Sequence, residues 1–262
     1  MIVKIRKKKS VKQKGFTLIE LMIAMMLGLI VIGGALSIYI STVTSSSNTI
    51  KSARLNYDVK SVIALMSNDI KRAGYWGGAV VGADSRGNVS MNMDIAVGPV
   101  TNIQIRNLAA PITAVNTGNC ILYSYDADDS GASDANELYG FRLSGTAIQM
   151  RLTGATTLDC SDGVWQTITT DNVEVTNLQF SFLPVGTLTA TTRCLNNTTA
   201  TSFNTLCSVA DDTAGNINSG DLIIESRVLN IIIAGRVGDD NDVVQSFSET
   251  VQVRNNRTYT QP

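Results

Sequence analysis

The chain has 262 residues, of which 16% are charged, and a formal net charge of −1. That length leaves room for a sizeable core, organised as one domain or at most two beyond the N-terminal segment. It contains no histidine, no P-loop and no dinucleotide fingerprint. The familiar Ser-His-Asp and Cys-His engines and the usual zinc sites are thereby excluded, and no enzymatic activity is expected.

The near-zero net charge conceals an asymmetry. Residues 1–15 carry Lys4, Arg6, Lys7, Lys8, Lys9, Lys12 and Lys14 and no acid. The remainder holds the other 14 basic residues against all 22 acidic ones, a net of −8. A basic tip before an apolar stretch stays on the cytoplasmic side of a membrane. An acidic remainder argues against nucleic acid as a partner, because phosphate backbones demand a basic surface. Few charges and abundant Ser, Thr, Asn and Gly suit a β-rich extracytoplasmic domain.

Leu21 to Ile40 is a run of 20 residues without a charge. As a helix it spans about 30 Å, enough to cross a bilayer. A secretory signal peptide has a shorter apolar core followed by a small-residue cleavage site, whereas this run is followed by Ser and Thr. The segment is therefore expected to stay in the mature protein. Glu20 stands at its start, where a carboxylate costs about 2–3 kcal/mol near the centre of a span and less near its end. Intramembrane acids have partners, yet no basic residue follows until Lys51. A cut after Gly15 would create an amine at Phe16 able to neutralise such a carboxylate in the same chain or a neighbour.

Beyond the polar stretch Ser41–Thr49, apolar residues return at Ile50, Val59, Val62, Ile63, Met66, Ile70 and Ala73, which include the 3- and 4-residue steps of one helical face. Gly74 is the expected stop. One helix from Phe16 to Ala73 would have 58 residues and measure about 87 Å. Beyond Gly78 the composition predicts strands over Ile121–Tyr125, Leu138–Leu143, Ala147–Leu152, Val164–Thr169, Val175–Leu183, Leu222–Ala234 and Val243–Val253. Phe141–Leu152 reads as a hairpin turning at Ser144–Thr146. The Thr/Asn/Ser-rich region Gly186–Gly220 reads as a surface loop pinned by a disulfide, and "VGDDNDV" (Val237–Val243) as a hairpin tip. Tyr75 and Trp76, at the helix end, are expected to pack at the helix–sheet junction, with a binding patch as the alternative.

The four cysteines, Cys120, Cys160, Cys194 and Cys207, lie beyond the apolar run and are even in number, which in an exported domain predicts two disulfides. Of the three connectivities, Cys120–Cys160 and Cys194–Cys207 are favoured because each pair brackets one loop-rich region. "DADDSGASDANE" (Asp126–Glu137) has the spacing of a 12-residue calcium loop. Asp126, Asp128, Ser130, Asp134 and Glu137 would supply side-chain or water-mediated contacts, and Ala132 its carbonyl. The flanks read as strands, so a helix–loop–helix is not expected, and a solvated acidic turn is the alternative. A structural calcium ion is the one cofactor the sequence suggests.

"KGFTLIELM" (Lys14–Met22) resembles the class III signal of type IV pilins and pseudopilins. The resemblance implies cleavage between Gly15 and Phe16 by prepilin peptidase on the cytoplasmic face, and N-methylation of Phe16. It also implies an assembly role for Glu20, which matches the glutamate thought to pair with the Phe16 amine of an adjacent subunit. Many major pilins carry proline at the position matching Ser37; here Gly28, Gly33 and Gly34 lie in the same stretch instead. Glycines loosen a helix by about 1 kcal/mol each relative to alanine, or they favour close helix packing in a membrane.

"NDIKRAGYWG" (Asn68–Gly77), "CILYSYD" (Cys120–Asp126), "ELYGFRLSG" (Glu137–Gly145) and "VQVRNNR" (Val251–Arg257) extend the resemblance to the PilW family of minor pilins. It implies a pilin-like α+β fold: a long N-terminal helix, membrane-spanning in its first half, packed on an antiparallel sheet. The implied divisions are a leader (1–15), a membrane and filament-core helix (16–40), an amphipathic continuation (41–76) and a β-rich periplasmic or extracellular domain (77–262). The implied role is that of a low-abundance subunit that primes pilus assembly and sits near the tip. Its implied partners are other minor pilins, the major pilin, prepilin peptidase and the inner-membrane assembly platform. A type II secretion pseudopilin, or a tip adhesin or DNA-uptake subunit, are the alternatives.

Overall fold

The computed structural model describes residues 15–75, 103–108, 110–129, 135–153, 159–182, 192–203, 217–238 and 240–260. Two compact units divide between Ile50 and Lys51. In the first, helix α1 (Leu18–Ile70) begins at Leu18 and exposes its large apolar side chains all round. The helix runs unbroken through Gly28, Gly33 and Gly34 and through the Ser/Thr stretch. Within that stretch threonine hydroxyls donate back along the helix, Thr42 to the Ile38 carbonyl at 2.8 Å, Thr44 to Ile40 at 2.9 Å and Thr49 to Ser45 at 2.9 Å, so that they are satisfied without breaking it.

In the second unit, the remainder of α1 buries Val59, Val62, Ile63, Met66 and Ile70, as the 3- and 4-residue steps predicted, together with Leu55, which they did not include; Ile50, expected on the same face, is exposed. Turns continue from Lys71 to Gly74, and Gly74 adopts φ +76°, the left-handed conformation that ends helices. The last carbonyls are satisfied from the far end of the chain. The Asn255 side-chain amide donates to the Arg72 and Ala73 carbonyls at 3.3 and 3.2 Å, and the Arg254 amide donates to the Lys71 carbonyl at 3.1 Å.

The strands, in chain order, are β1 (Ile103–Asn107), β2 (Ala110–Val115), β3 (Thr117–Gly118), β4 (Cys120–Ser124), β5 (Leu138–Ser144), β6 (Ala147–Thr153), β7 (Val164–Thr167), β8 (Val173–Ser181), β9 (Arg193–Asn196), β10 (Thr201–Phe203), β11 (Leu222–Ser226), β12 (Val228–Val237), β13 (Asp240–Gln252) and β14 (Arg257–Thr260). They form three antiparallel sheets with orders β2-β1-β4-β5-β6-β7, β10-β9-β11-β14 and β13-β12-β8-β3. The apolar face of α1 shares one core with the first and third sheets, including Ile105, Ile121, Phe141, Phe180, Leu229, Ile231 and Ile233. The pilin-like α+β expectation holds: one long N-terminal apolar helix is followed by antiparallel sheets.

Several expectations are corrected. Leu222–Ala234 is not one strand but two in different sheets, divided at Arg227. Glu225 and Arg227 form a buried ion pair at 2.9 Å at the point of division. The region Gly186–Gly220 is not simply a surface loop, because it contributes the hairpin β9–β10, with Cys194 fully buried. Its expected partner Cys207, and Trp76, lie outside the described residues. Tyr75 remains 44% exposed and does not join the core. β1, β2, β3, β9, β10 and β14 were not predicted. The Ser144–Thr146 hairpin is present with Gly145 at φ +62°, and Val237–Asp240 closes β12 onto β13.

Candidate functional site

The N-terminal segment is built around the start of α1. Gly15, Phe16 and Thr17 precede the helix, and Phe16 is 82% exposed. Thr17 stands at the cap: its carbonyl accepts the first helical hydrogen bond from the Leu21 amide at 3.2 Å. Its hydroxyl faces the Glu20 amide at 3.4 Å. Thr17 and Glu20 thus occupy the two positions of a T-x-x-E capping box, a local signal that the sequence carries beside the methylation-type motif. Glu20 lies in the first turn, where the helix dipole favours a carboxylate, and is exposed. Helix α1 includes an 18-residue window of mean hydropathy 2.5 with none of its residues buried. Among the described residues, this helix is long and apolar enough to cross a membrane.

The second unit carries its polar density where α1 ends beside β4. The Gly74 amide donates to the Ser124 carbonyl at 2.8 Å, and the Asp126 amide donates to the Tyr75 carbonyl at 2.9 Å. Asp69, one turn earlier, accepts from two phenols: Tyr123 at Oδ2, and Tyr125 at Oδ1 at 2.9 Å. Arg72 approaches the same carboxylate at 3.9 Å and stacks its guanidinium 4.1 Å from the centre of the Tyr125 ring. Tyr125 in turn stacks on Tyr139 with centroids 4.1 Å apart. Burial, then the nearby Asp69 carboxylate, pushes the Tyr123 phenol well above the ordinary phenol range and raises Tyr125 as well. This clamp was not foreseen. Its signal was the Tyr-x-Tyr spacing of Tyr123 and Tyr125 opposite an acid on the helix.

The acidic loop leaves this clamp directly. Asp126 and Glu137 are buried, Asp128 is exposed, and their carboxylate oxygens lie within 4.8 Å of one another. Glu137 Oε1 accepts from the Ala127 amide at 2.8 Å. Tyr75 donates its hydroxyl to Asp129 at 2.8 Å, and that bond holds the phenol above its usual range. Oxygen ligands at this spacing suit a hard divalent cation. Of the residues predicted for such a site, Asp126, Asp128 and Glu137 come together, while Ser130, Ala132 and Asp134 lie outside the described residues. The flanks are β4 and β5 with a short 3-10 turn at Ala135–Glu137, so the loop is not part of an EF-hand.

Of the four cysteines, Cys120 and Cys160 are joined, with Cα atoms 6.4 Å apart.

Residues 48–253 match the family model described as prepilin peptidase-dependent protein B, which covers most of the chain. The chain belongs to the prepilin peptidase-dependent protein B family. A second model, the prokaryotic N-terminal methylation motif, matches residues 11–36 and so contains Gly15, Phe16, Thr17 and Glu20. No curated protein and no solved structure gives a significant match. The two matches make this member of the family a pilin-like protein, of a class whose members are structural. The apolar start of α1 is consistent with an anchor in the inner membrane.

Proposed function

We propose that the chain is a minor pilin of the PilW type that primes type IV pilus assembly and is incorporated near the tip. Prepilin peptidase removes residues 1–15, and Phe16 becomes the methylated N-terminus. Residues 16–40 hold the subunit in the inner membrane, 41–76 carry the helix onward, and 77–262 form the β-rich part on the periplasmic side. Its partners are the other minor pilins, the major pilin and the assembly platform. The observation that carries this reading is the exposed Glu20 in the first turn of an apolar helix, within a matched methylation motif. The cost of a carboxylate there is relieved when a neighbour's Phe16 amine reaches it.

Deleting the gene should abolish or sharply reduce surface pili while leaving the cellular level of major pilin unchanged. Complementation with Glu20→Ala should restore a processed protein but not pili. Normal piliation in the deletion strain contradicts the priming role. If secretion of folded enzymes is lost instead, the subunit belongs to a type II secretion pseudopilus. If piliation persists while adherence or DNA uptake fails, it is a tip adhesin or uptake subunit. The convergence of Asp126, Asp128 and Glu137 supports a second, separable reading, that the β4–β5 loop holds a structural calcium ion.

A further inference from the structure

Strand alternation gives the six-stranded sheet two different faces. One contributes Ile105, Ile121, Phe141 and Ile148 to the core shared with α1. The other carries Arg106, Cys120, Arg142 and Arg151, with Arg106, Cys120 and Arg142 aligned across β1, β4 and β5. Trp165 on β7 pairs with Arg151 and lies against Gly140, where an added Cβ would come 3.3 Å from the ring. The Arg142 and Arg151 guanidiniums lie 4.3 and 5.0 Å from the centre of that indole ring.

Arg151 is fully buried and Arg106 nearly so. Burial pushes the Arg151 guanidinium down to about 10 and lowers Arg106, opposed by the Asp159 and Asp162 charges. Guanidiniums in such a place need acceptors and opposing charge. Arg106 donates to Gln104 Oε1 at 3.0 Å and Arg142 Nε to Gln149 Oε1 at 2.9 Å within the sheet, and the opposing charges and further acceptors come from one short segment, Asp159–Gly163. The Cys160 carbonyl accepts from Arg142 at 2.6 Å, the Asp159 carbonyl from Arg151, and the Asp162 carbonyl from the Trp165 indole at 2.9 Å. The segment runs as turn and bend directly into β7 at Val164, and the Cys120–Cys160 disulfide ties it across the sheet to β4. Cys120, Leu122 and Cys160 form a small cluster with Trp165, separate from the main core.

We propose that Asp159–Gly163 is a strap closed by oxidation: formation of the Cys120–Cys160 bond shuts the guanidinium–indole face, and the reduced chain opens there while the main core stays folded. Closure joins the two thiols as one S–S bond. Their two electrons and two protons pass to a disulfide-bearing oxidant, which becomes a dithiol. The final shape of this face is therefore reached only in an oxidising compartment.

The test uses the full chain in detergent micelles with Trp76→Phe, which leaves Trp165 as the one tryptophan. The oxidised protein is compared with a Cys120→Ser/Cys160→Ser variant and a Cys120→Ala/Cys160→Ala variant. Acrylamide quenching of Trp165 should rise severalfold in both variants, its emission should shift to the red, and a cooperative thermal transition should persist. Equal shielding of Trp165 in oxidised and cysteine-free proteins overturns the strap. Loss of the cooperative transition in both variants also overturns it, because the disulfide would then hold the whole domain and not one face.

Discussion

Asp69→Ala removes one acceptor from two phenols at once. Tyr123 is fully buried and Tyr125 nearly so, so each phenol loses its carboxylate acceptor in a largely dry setting. A hydrogen bond to a charged acceptor contributes about 1.5–3 kcal/mol, so the pair predicts a loss of about 3–6 kcal/mol. The Arg72 contact adds little, because it is long, at 3.9 Å, and its guanidinium is half exposed. For a domain of this size each kcal/mol lowers the melting temperature by about 2–4 °C, so a fall on the order of 10 °C is expected. Asp69→Asn keeps one acceptor oxygen and should lose roughly half as much. Thermal unfolding followed by circular dichroism, with Asp69→Ala, Tyr123→Phe and the double variant, closes a mutant cycle. A fall of less than about 2 °C for Asp69→Ala, or full additivity in the cycle, refutes the clamp as a source of stability.

The same tyrosines set an alkaline limit. Their folded phenols hold the proton above about pH 10, where an unfolded tyrosine releases it, so the stability they provide is complete below that value and declines as pH rises past it. Melting temperatures measured at rising alkaline pH should fall less steeply in Tyr125→Phe than in the native chain. Gly140→Ala would place a Cβ 2.6 Å from the Ile121 carbonyl oxygen, and should cost about 2 kcal/mol in a denaturant titration. Titration calorimetry with calcium at about millimolar concentration should give heat in the native chain and none in Asp126→Asn/Glu137→Gln; absence of heat in the native chain ends the calcium reading.

Much of this was legible in the sequence because each signal was local. The apolar run from Leu21, the single acid at Glu20 and the glycine at 74 fixed the helix and its stop, and Gly145 marked the tight hairpin. The β11–β12 division was hidden by an apolar run that never pauses. Its trace was there: Glu225 and Arg227 fall on the same alternation as Ile223, Leu229 and Ile231, and two adjacent charges on a buried face mark a place where one sheet gives way to another. β1 and β9 were missed because Gln104, Arg106, Arg193 and Asn196 dilute their apolar content; Arg106 donates to Gln104 on its own strand and Asn196 to Asp221, pairings that apolar periodicity does not register. The Asp69 clamp joins residues more than 50 positions apart, a distance over which no periodicity speaks. In the acidic loop the spacing did identify three carboxylates that meet, although the flanking strands give it a different frame from the helical loop whose spacing it shares.

The account rests on Gly15–Phe16 being a processing site and Phe16 a modified N-terminus next to Glu20. Intact-mass spectrometry of the protein purified from its own host tests this most directly. The account predicts a chain of residues 16–262 bearing one added methyl group and lacking four hydrogens for two disulfides. A chain that retains its basic leader, or begins at Phe16 without the methyl group, would contradict it.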